Sequence, residues 1–377
     1  MSATMTVGAR AITLHLPPRV EIGAGTAARV GDWAGETRAL VLATPHTVGF
    51  AERLGLRGEV SVFDAVPGEP EIATLEAALD AARAARPDVV VGLGGGSVLD
   101  LAKLVAAMWD GAQSLDDVAG PDRVAGRHTR LAQVATTAGT GSEAGIRALI
   151  TDPGTGAKVA VESPHLLADL AVLDPTLTHS VPPAVTAATG IDALAHCVEA
   201  FTSRRAHPVI DGFARMGIDL VGRYLARAVA DGSDTEAREG MMLASFYGGI
   251  CLGPVNTAAG HALAYPLGTL LHLPHGLANA VIFPHVLAFN EPVAADKTAE
   301  VARALGLGGR TADEGLLKAA HGFCEALGVE MSLKAHGARE EDLFRFAADA
   351  HAIRRLMDNN PRDMSVGDVL SVYQAAL

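Results

Sequence analysis

The sequence predicts an N-terminal α/β domain with a mainly parallel sheet, followed by an all-helical C-terminal domain. Three observations carry this. From Ala11 to about residue 175, short aliphatic runs alternate with Ala-rich stretches of helical period, as βαβ units do. After Asp174-Pro175 the β signal fades, and from Pro183 onward helical periodicity dominates. At roughly 150 residues per domain, a chain of 377 residues is long enough for two cores. The boundary falls near residue 180, giving domains 1–180 and 181–377. No Gly/Ser linker separates the halves, so they are expected to pack closely around a ligand cleft.

The elements follow in order. Arg38 to Thr44 (RALVLAT) reads as a buried strand. Glu71 to Arg86 has amphipathic spacing, Pro87 stops it, and Asp88 to Leu93 (DVVVGL) is the next strand. Gly94, Gly95, Gly96 and Ser97 follow at once, then Leu99 to Met108 restores a helix. The strand Leu131 to Ala135 leads directly into Thr136 to Ser142 (TTAGTGS). In the helical half, breaks are expected at Pro208, Gly253-Pro254, Pro266, Pro274 and Pro284.

Composition narrows the function. Apolar residues make up 49% of the chain and aromatics only 4%, which suits Ala/Val/Leu helices on a buried sheet and points to a soluble α/β enzyme. With 30 Lys plus Arg against 43 Asp plus Glu, the net charge of −13 has the wrong sign for neutralising nucleic-acid phosphates. Cys197, Cys251 and Cys324 stand far apart, so neither a disulfide framework nor a thiolate zinc cage is encoded. No run approaches the roughly 18 apolar residues of a membrane span, and residues 1–10 lack an export signal, so a cytoplasmic location is the expectation.

Three places carry chemistry. In Gly92 to Lys103 (GLGGGSVLDLAK), a turn without Cβ atoms precedes a helix N-terminus, an arrangement that binds anions. It is neither a spaced dinucleotide fingerprint nor a Walker A loop, and such a turn also occurs for structural reasons alone. The run Thr136 to Glu143 gathers hydroxyls that can bond a ribose or amide, or that simply cap a helix start. Asp192 and His196 lie four apart on one helix face, with His261 and His275 further along. One carboxylate and three imidazoles suit a divalent transition metal with a position left open for substrate. With 14 histidines in the chain, each of these also reads as an ordinary core or surface residue.

The segments GLGGGSVLDLAK, ATTAGTGSEA, IDALAHCVEA, Gly260 to Val286 and the late NPRDMSVGDVLSVYQAA closely resemble the iron-dependent (group III) alcohol dehydrogenase family, over nearly the whole chain from about Arg19. The resemblance implies a dinucleotide-binding α/β domain, a helical metal-binding and substrate domain, and the dehydroquinate synthase-like architecture. It implies Asp192, His196, His261 and His275 as metal ligands, with Fe²⁺ favoured and Zn²⁺ possible. It also implies Gly95, Gly96 and Ser97 around a pyrophosphate with Asp100 behind them, Thr136, Thr137, Thr140 and Ser142 along the nucleotide, and Lys158 near the ribose. Homodimers or higher homo-oligomers are expected.

Two positions depart from the family pattern. Thr44, followed by Pro45, stands at a strand end where many members carry an acid that would repel a 2′-phosphate, so the cofactor is written NAD(P). Tyr265 stands where many members carry a further histidine; a phenol can hydrogen-bond or relay a proton but is a poor base at neutral pH. The implied reaction is hydride transfer between NAD(P) and a small alcohol, aldehyde, ketone or oxo acid, in a pocket near Phe246, Leu252, Pro254, Tyr265 and His272. Two alternatives share the scaffold. Metal-free maleylacetate reductases have similar text at Val41 to Pro45, but commonly carry an amide in place of Asp192. Dehydroquinate synthase-type cyclases match the Gly260 to Val286 text less well.

Overall fold

The computed structural model describes residues 10–154, 156, 158–309 and 315–377. It divides into two compact units, one spanning Leu14–Ser180 and the other Val181–Leu377 together with the short segment that ends at Thr13.

The first unit is built on β1 (Val20–Ile22), β2 (Ala39–Ala43), β3 (Val60–Phe63), β4 (Val89–Gly94), β6 (Arg130–Ala135) and β9 (Leu170–Leu173). They form one six-stranded sheet in the order β1-β9-β6-β4-β2-β3, with every pairing parallel. All residues of β2, β4 and β9 are buried, because helices cover both faces and only continuous aliphatic runs can sit there. The edge strand β3 alternates exposed and half-buried residues instead. A smaller sheet orders β5 (Gly120–Pro121), β8 (Lys158–Glu162) and β7 (Arg147–Thr151), with β7 and β8 antiparallel. The helices of this unit are α1 (Arg29–Ala34), α2 (Ile72–Ala85), α3 (Gly96–Met108) and α4 (Leu115–Val118).

Strand order reverses between β2 and β4, since β3 lies on one side of β2 and the later strands on the other. In open parallel sheets the crevice beyond the strand C-termini at such a switch is where ligands bind. Thr44 and the Gly94–Gly96 turn stand there.

The second unit contains α5 (Pro183–Thr202), α6 (Pro208–Ala230), α7 (Thr235–Leu252), α8 (Ala259–Leu271), α9 (His275–Asn290), α10 (Ala295–Ala304), α11 (Leu316–Ala326), α12 (Leu343–Ala352), α13 (Arg354–Met357) and α14 (Val366–Ala376). Helices begin at Pro208 and just after Pro274, and α7 ends at Leu252 before Gly253-Pro254, as the breaker residues indicate. Pro266 and Pro284 do not break the chain, however, and lie inside α8 and α9. A proline in mid-helix costs about 3 kcal/mol in isolation. Here both prolines are buried in helices whose Leu263, Leu267, Val281 and Ile282 belong to one apolar core, and tertiary packing offsets the local cost. None of the described helices is long and apolar enough to cross a membrane.

Candidate metal centre and nucleotide loops

Helix α5 places Asp192 and His196 one turn apart on a buried face. His261 comes from the first turn of α8, and His275 is the first residue of α9. One ligand atom from each of the four lies within 4.8 Å of all the others. Asp192 Oδ1 is the hub, with His261 Nε2 at 3.5 Å, His275 Nε2 at 3.7 Å and His196 Nε2 at 3.9 Å. Four ligands held about 2.1 Å from a tetrahedral ion are separated by about 3.4 Å, so little movement is needed to enclose one. The side chains of Asp192, His196 and His261 are almost fully buried, whereas that of His275 is 36% exposed and marks the open side.

The donor set asks for a cation. His261 Nε2 is buried with no hydrogen-bond partner, an unusual cost unless another species takes its lone pair. Its other nitrogen, Nδ1, lies 2.8 Å from Glu199 Oε1, which also accepts from the His261 backbone N–H at 3.2 Å. A carboxylate only accepts, so a proton sits on Nδ1, and Nε2 is the nitrogen that faces Asp192 and would ligate a metal. Glu199 Oε2 accepts in turn from the Ala258 N–H. On the opposite flank, Asn279 Nδ2 donates to Asp192 Oδ1 at 2.7 Å and lies 3.2 Å from His275 Nε2.

The electrostatics follow from this crowding. Burial alone would raise the Asp192 carboxyl, but the three imidazoles reverse that and hold it well below the usual carboxylate range. Burial pushes His196 down to about 4, the neutral form that ligates metals, with Asp192 opposing and the other two rings assisting. At His261 the adjacent Glu199 and Asp192 outweigh burial and push the ring up to about 10, so without a metal Nε2 also holds a proton toward Asp192, which a bound cation would replace.

Neither Glu199 nor Asn279 was singled out by the sequence reading. A signal was present: Glu199 continues the Asp192, His196 face at a spacing of seven, and Asn279 follows His275 by four. Tyr265 sits one turn after His261, with its ring 6.0 Å from that of His275. Of the other pocket residues suggested by sequence, Phe246 and Leu252 are on α7 and Pro254 follows it; His272 is an exposed left-handed residue ending α8.

The glycine-rich and hydroxyl-rich loops both belong to the first unit. α3 starts at Gly96 with no side-chain cap; Val98 N–H donates to Gly95 O, which leaves the N–H groups of Gly96 and Ser97 to face an anion. The two loops touch: a Cβ at Gly96 would come within 2.6 Å of Thr140, and one at Gly95 within 2.9 Å of Thr137 Oγ1. Thr136 N–H donates to Gly94 O across the strand ends. Asp100 and Ser142 face one another rather than the surface, with Ser142 Oγ donating to Asp100 Oδ1 at 2.5 Å. Buried Lys103 donates to Ser142 Oγ at 2.8 Å and to Arg147 O at 2.7 Å. Ser97 donates to Gly68 O, and Lys158 pairs with Glu69 and Thr151. Thr44 closes its own turn, its hydroxyl accepting from the N–H groups of His46 and Thr47.

A mainly parallel sheet with a switch-point glycine turn, and a helical unit in which an acid and three imidazoles converge, are features of a class of oxidoreductases. The sequence places the chain in a family. Residues 17–175 match the profile described as iron-containing alcohol dehydrogenase, and residues 186–377 match the C-terminal profile of the Fe-containing alcohol dehydrogenase family. The chain belongs to the iron-containing alcohol dehydrogenase family. It is 38% identical to long-chain-alcohol dehydrogenase 1 of Geobacillus thermodenitrificans (strain NG80-2), over 84% of this chain and 82% of that one. Among solved structures, a 1,3-propanediol oxidoreductase superposes with a TM-score of 0.91 at 30% identity, covering 98% of this chain and 100% of the other. A sulfoacetaldehyde reductase from Bifidobacterium kashiwanohense in complex with NAD⁺ superposes at 0.88 and 28% identity, covering 97% and 99%.

Proposed function

We propose that the protein is a metal-dependent, NAD(P)-linked oxidoreductase that interconverts a small alcohol with its aldehyde, ketone or oxo acid. The observation that carries this reading is the convergence of Asp192, His196, His261 and His275, with a buried His261 Nε2 that no protein group satisfies. These four residues would hold the cation, and family membership favours Fe²⁺ over Zn²⁺, both of which suit one oxygen and three nitrogen donors. When bound, a divalent ion supplies Lewis acidity toward a carbonyl or alkoxide oxygen. A bound nicotinamide dinucleotide supplies or accepts the hydride.

The chain's own residues do the positioning. Glu199 fixes the His261 tautomer, and Asn279 orients the Asp192 carboxylate by donating to it. Burial of three of the four ligands excludes water from all but the His275 side, where substrate would enter beside Tyr265. In the other unit the uncapped start of α3 offers N–H groups to the pyrophosphate, with Gly95, Gly96 and Ser97 closest to it. Thr136, Thr137 and Thr140 would line the nucleotide; Asp100 and Ser142 hold the two loops together from behind, and Lys158 would approach the ribose. At the end of β2 stands Thr44, which carries no charge to repel a 2′-phosphate, so both NADH and NADPH are admitted.

The test is a panel of small aldehydes, ketones and oxo acids with NADH and NADPH, run with added Fe²⁺, Zn²⁺ or chelator. Stoichiometric consumption of reduced cofactor that chelator abolishes is the expected outcome. A His261→Ala variant that kept full turnover without retaining metal would defeat the assignment.

A further inference from the structure

Beside the quartet lies a cation that the chemistry above does not use. Arg355, on α13, is exposed and has no acidic partner among the described residues. Its neighbour Arg354 is different, since it pairs with Asp358 and contacts His351. The Arg355 guanidinium instead turns toward Tyr265. Its carbon lies 5.7 Å from the ring centroid, and Nη2 donates to the phenol oxygen at 3.4 Å. The Tyr265 oxygen is therefore an acceptor in that contact, and its own hydrogen is left for another acceptor. The same ring lies 6.0 Å, centroid to centroid, from that of His275, the most exposed member of the quartet.

Two donors thus stand together on the His275 side of the quartet, one charged and one neutral, with no carboxylate among the described residues paired to them. In a chain of net charge −13, an exposed guanidinium without an acidic partner among the described residues places a positive charge here that would attract an anion. A guanidinium fork with an adjacent hydroxyl is suited to a carboxylate or a similar oxyanion. We infer that Arg355 and Tyr265 form a specificity site for carbonyl substrates that carry an anionic group a few bonds from the reacting carbon. This rests on the hydride-transfer reading and names the substrate class for that same site.

The test compares butanal with succinic semialdehyde, which have the same four-carbon length and differ in a methyl against a carboxylate end. Wild type is expected to favour succinic semialdehyde in kcat/KM. Arg355→Met should lose at least about tenfold on it, mainly through KM, while butanal changes less than about twofold. Arg355→Lys should recover part of the loss, and KM for NAD(P)H should not move. An equal effect on both aldehydes, or no preference in wild type, overturns the inference. Calorimetric binding of succinate gives a readout independent of turnover. If succinate binds wild type and loses about tenfold in Arg355→Met while neither aldehyde is reduced, hydride transfer fails and the anion site stands. If succinate binding is unaffected by the substitution, the anion site fails on its own.

Discussion

Glu199 Oε1 accepts from both the backbone N–H and the ring Nδ1 of His261, so one carboxylate fixes the position of the helix α8 start and the tautomer of its ligand together. This contact is possible because residue 260 is glycine: a Cβ there would come within 2.4 Å of the same oxygen. The atom it would strike ends a flexible side chain, but one pinned by the N–H groups of Ala258 and His261.

Two substitutions at this contact should therefore act on metal affinity more than on folding. Glu199→Gln and Gly260→Ala are each expected to weaken Fe²⁺ or Zn²⁺ binding roughly 10- to 100-fold. Metal titration by calorimetry or a competing chelator checks this, with melting temperature as the control. Unchanged metal affinity in both variants would mean that Glu199 does not orient the ligand.

At the nucleotide loops, Gly96→Ala drives a methyl group into Thr140 and forces the two loops apart. NADH and NADPH affinity should fall by about tenfold or more, since the N–H groups of α3 would no longer be presented in place. Fluorescence titration of the reduced cofactor measures it. Metal content should stay the same, because the quartet belongs to the other unit.

Under those loops Lys103 and Asp100 form a buried pair, with Nζ 3.7 Å from Oδ1 and Ser142 bridging them. Burial lowers the Lys103 amine and raises the Asp100 carboxyl, each opposed by the other's charge. Lys103→Met leaves the carboxylate uncompensated and should cost about 3 kcal/mol of stability. Adding Asp100→Asn should return part of that, and denaturant unfolding of the four proteins in the cycle gives the coupling. Strict additivity would show that the pair does not interact.

Next to Ser142, burial pushes the Glu143 carboxyl up to about 7 from 4.5, against the opposing pull of its own N–H and of Lys103. The folded protein thus holds this proton more tightly than the unfolded chain. Stability from it is complete below about pH 4.5 and is lost as pH rises through about 7. Glu143→Gln removes the titration. Its stability relative to wild type should climb between pH 4.5 and 7 and then level off, by an amount on the order of 3 kcal/mol. A pH-independent difference would place the carboxyl's titration elsewhere.

Much of this arrangement was legible in the residues. The runs Arg38 to Thr44 and Asp88 to Leu93 are continuous and aliphatic because both faces of the sheet are covered, and each marks its strand to within a residue or two. Asp192 and His196 announce themselves by a spacing of four. Glu199 continues their face, but a glutamate on a helix ordinarily faces water, and that spacing alone does not reveal that α8 will bury it. Pro266 and Pro284 mislead for the same reason, since the local cost of a proline is visible and the packing that outweighs it is not.

Local patterning by itself determined the strands β2, β4 and β6, the helices α2 and α3, the glycine turn at the end of β4 and the donor types at the quartet. Periodicity and covalent constraint act over a few residues, and they suffice for those assignments. Only the tertiary structure decided which of the 14 histidines converge, that Glu199 and Asn279 hold them, and that Arg355 reaches Tyr265 across 90 residues of chain. Those contacts join helices distant in sequence, and their geometry is set by how whole helices pack rather than by any local run of residues.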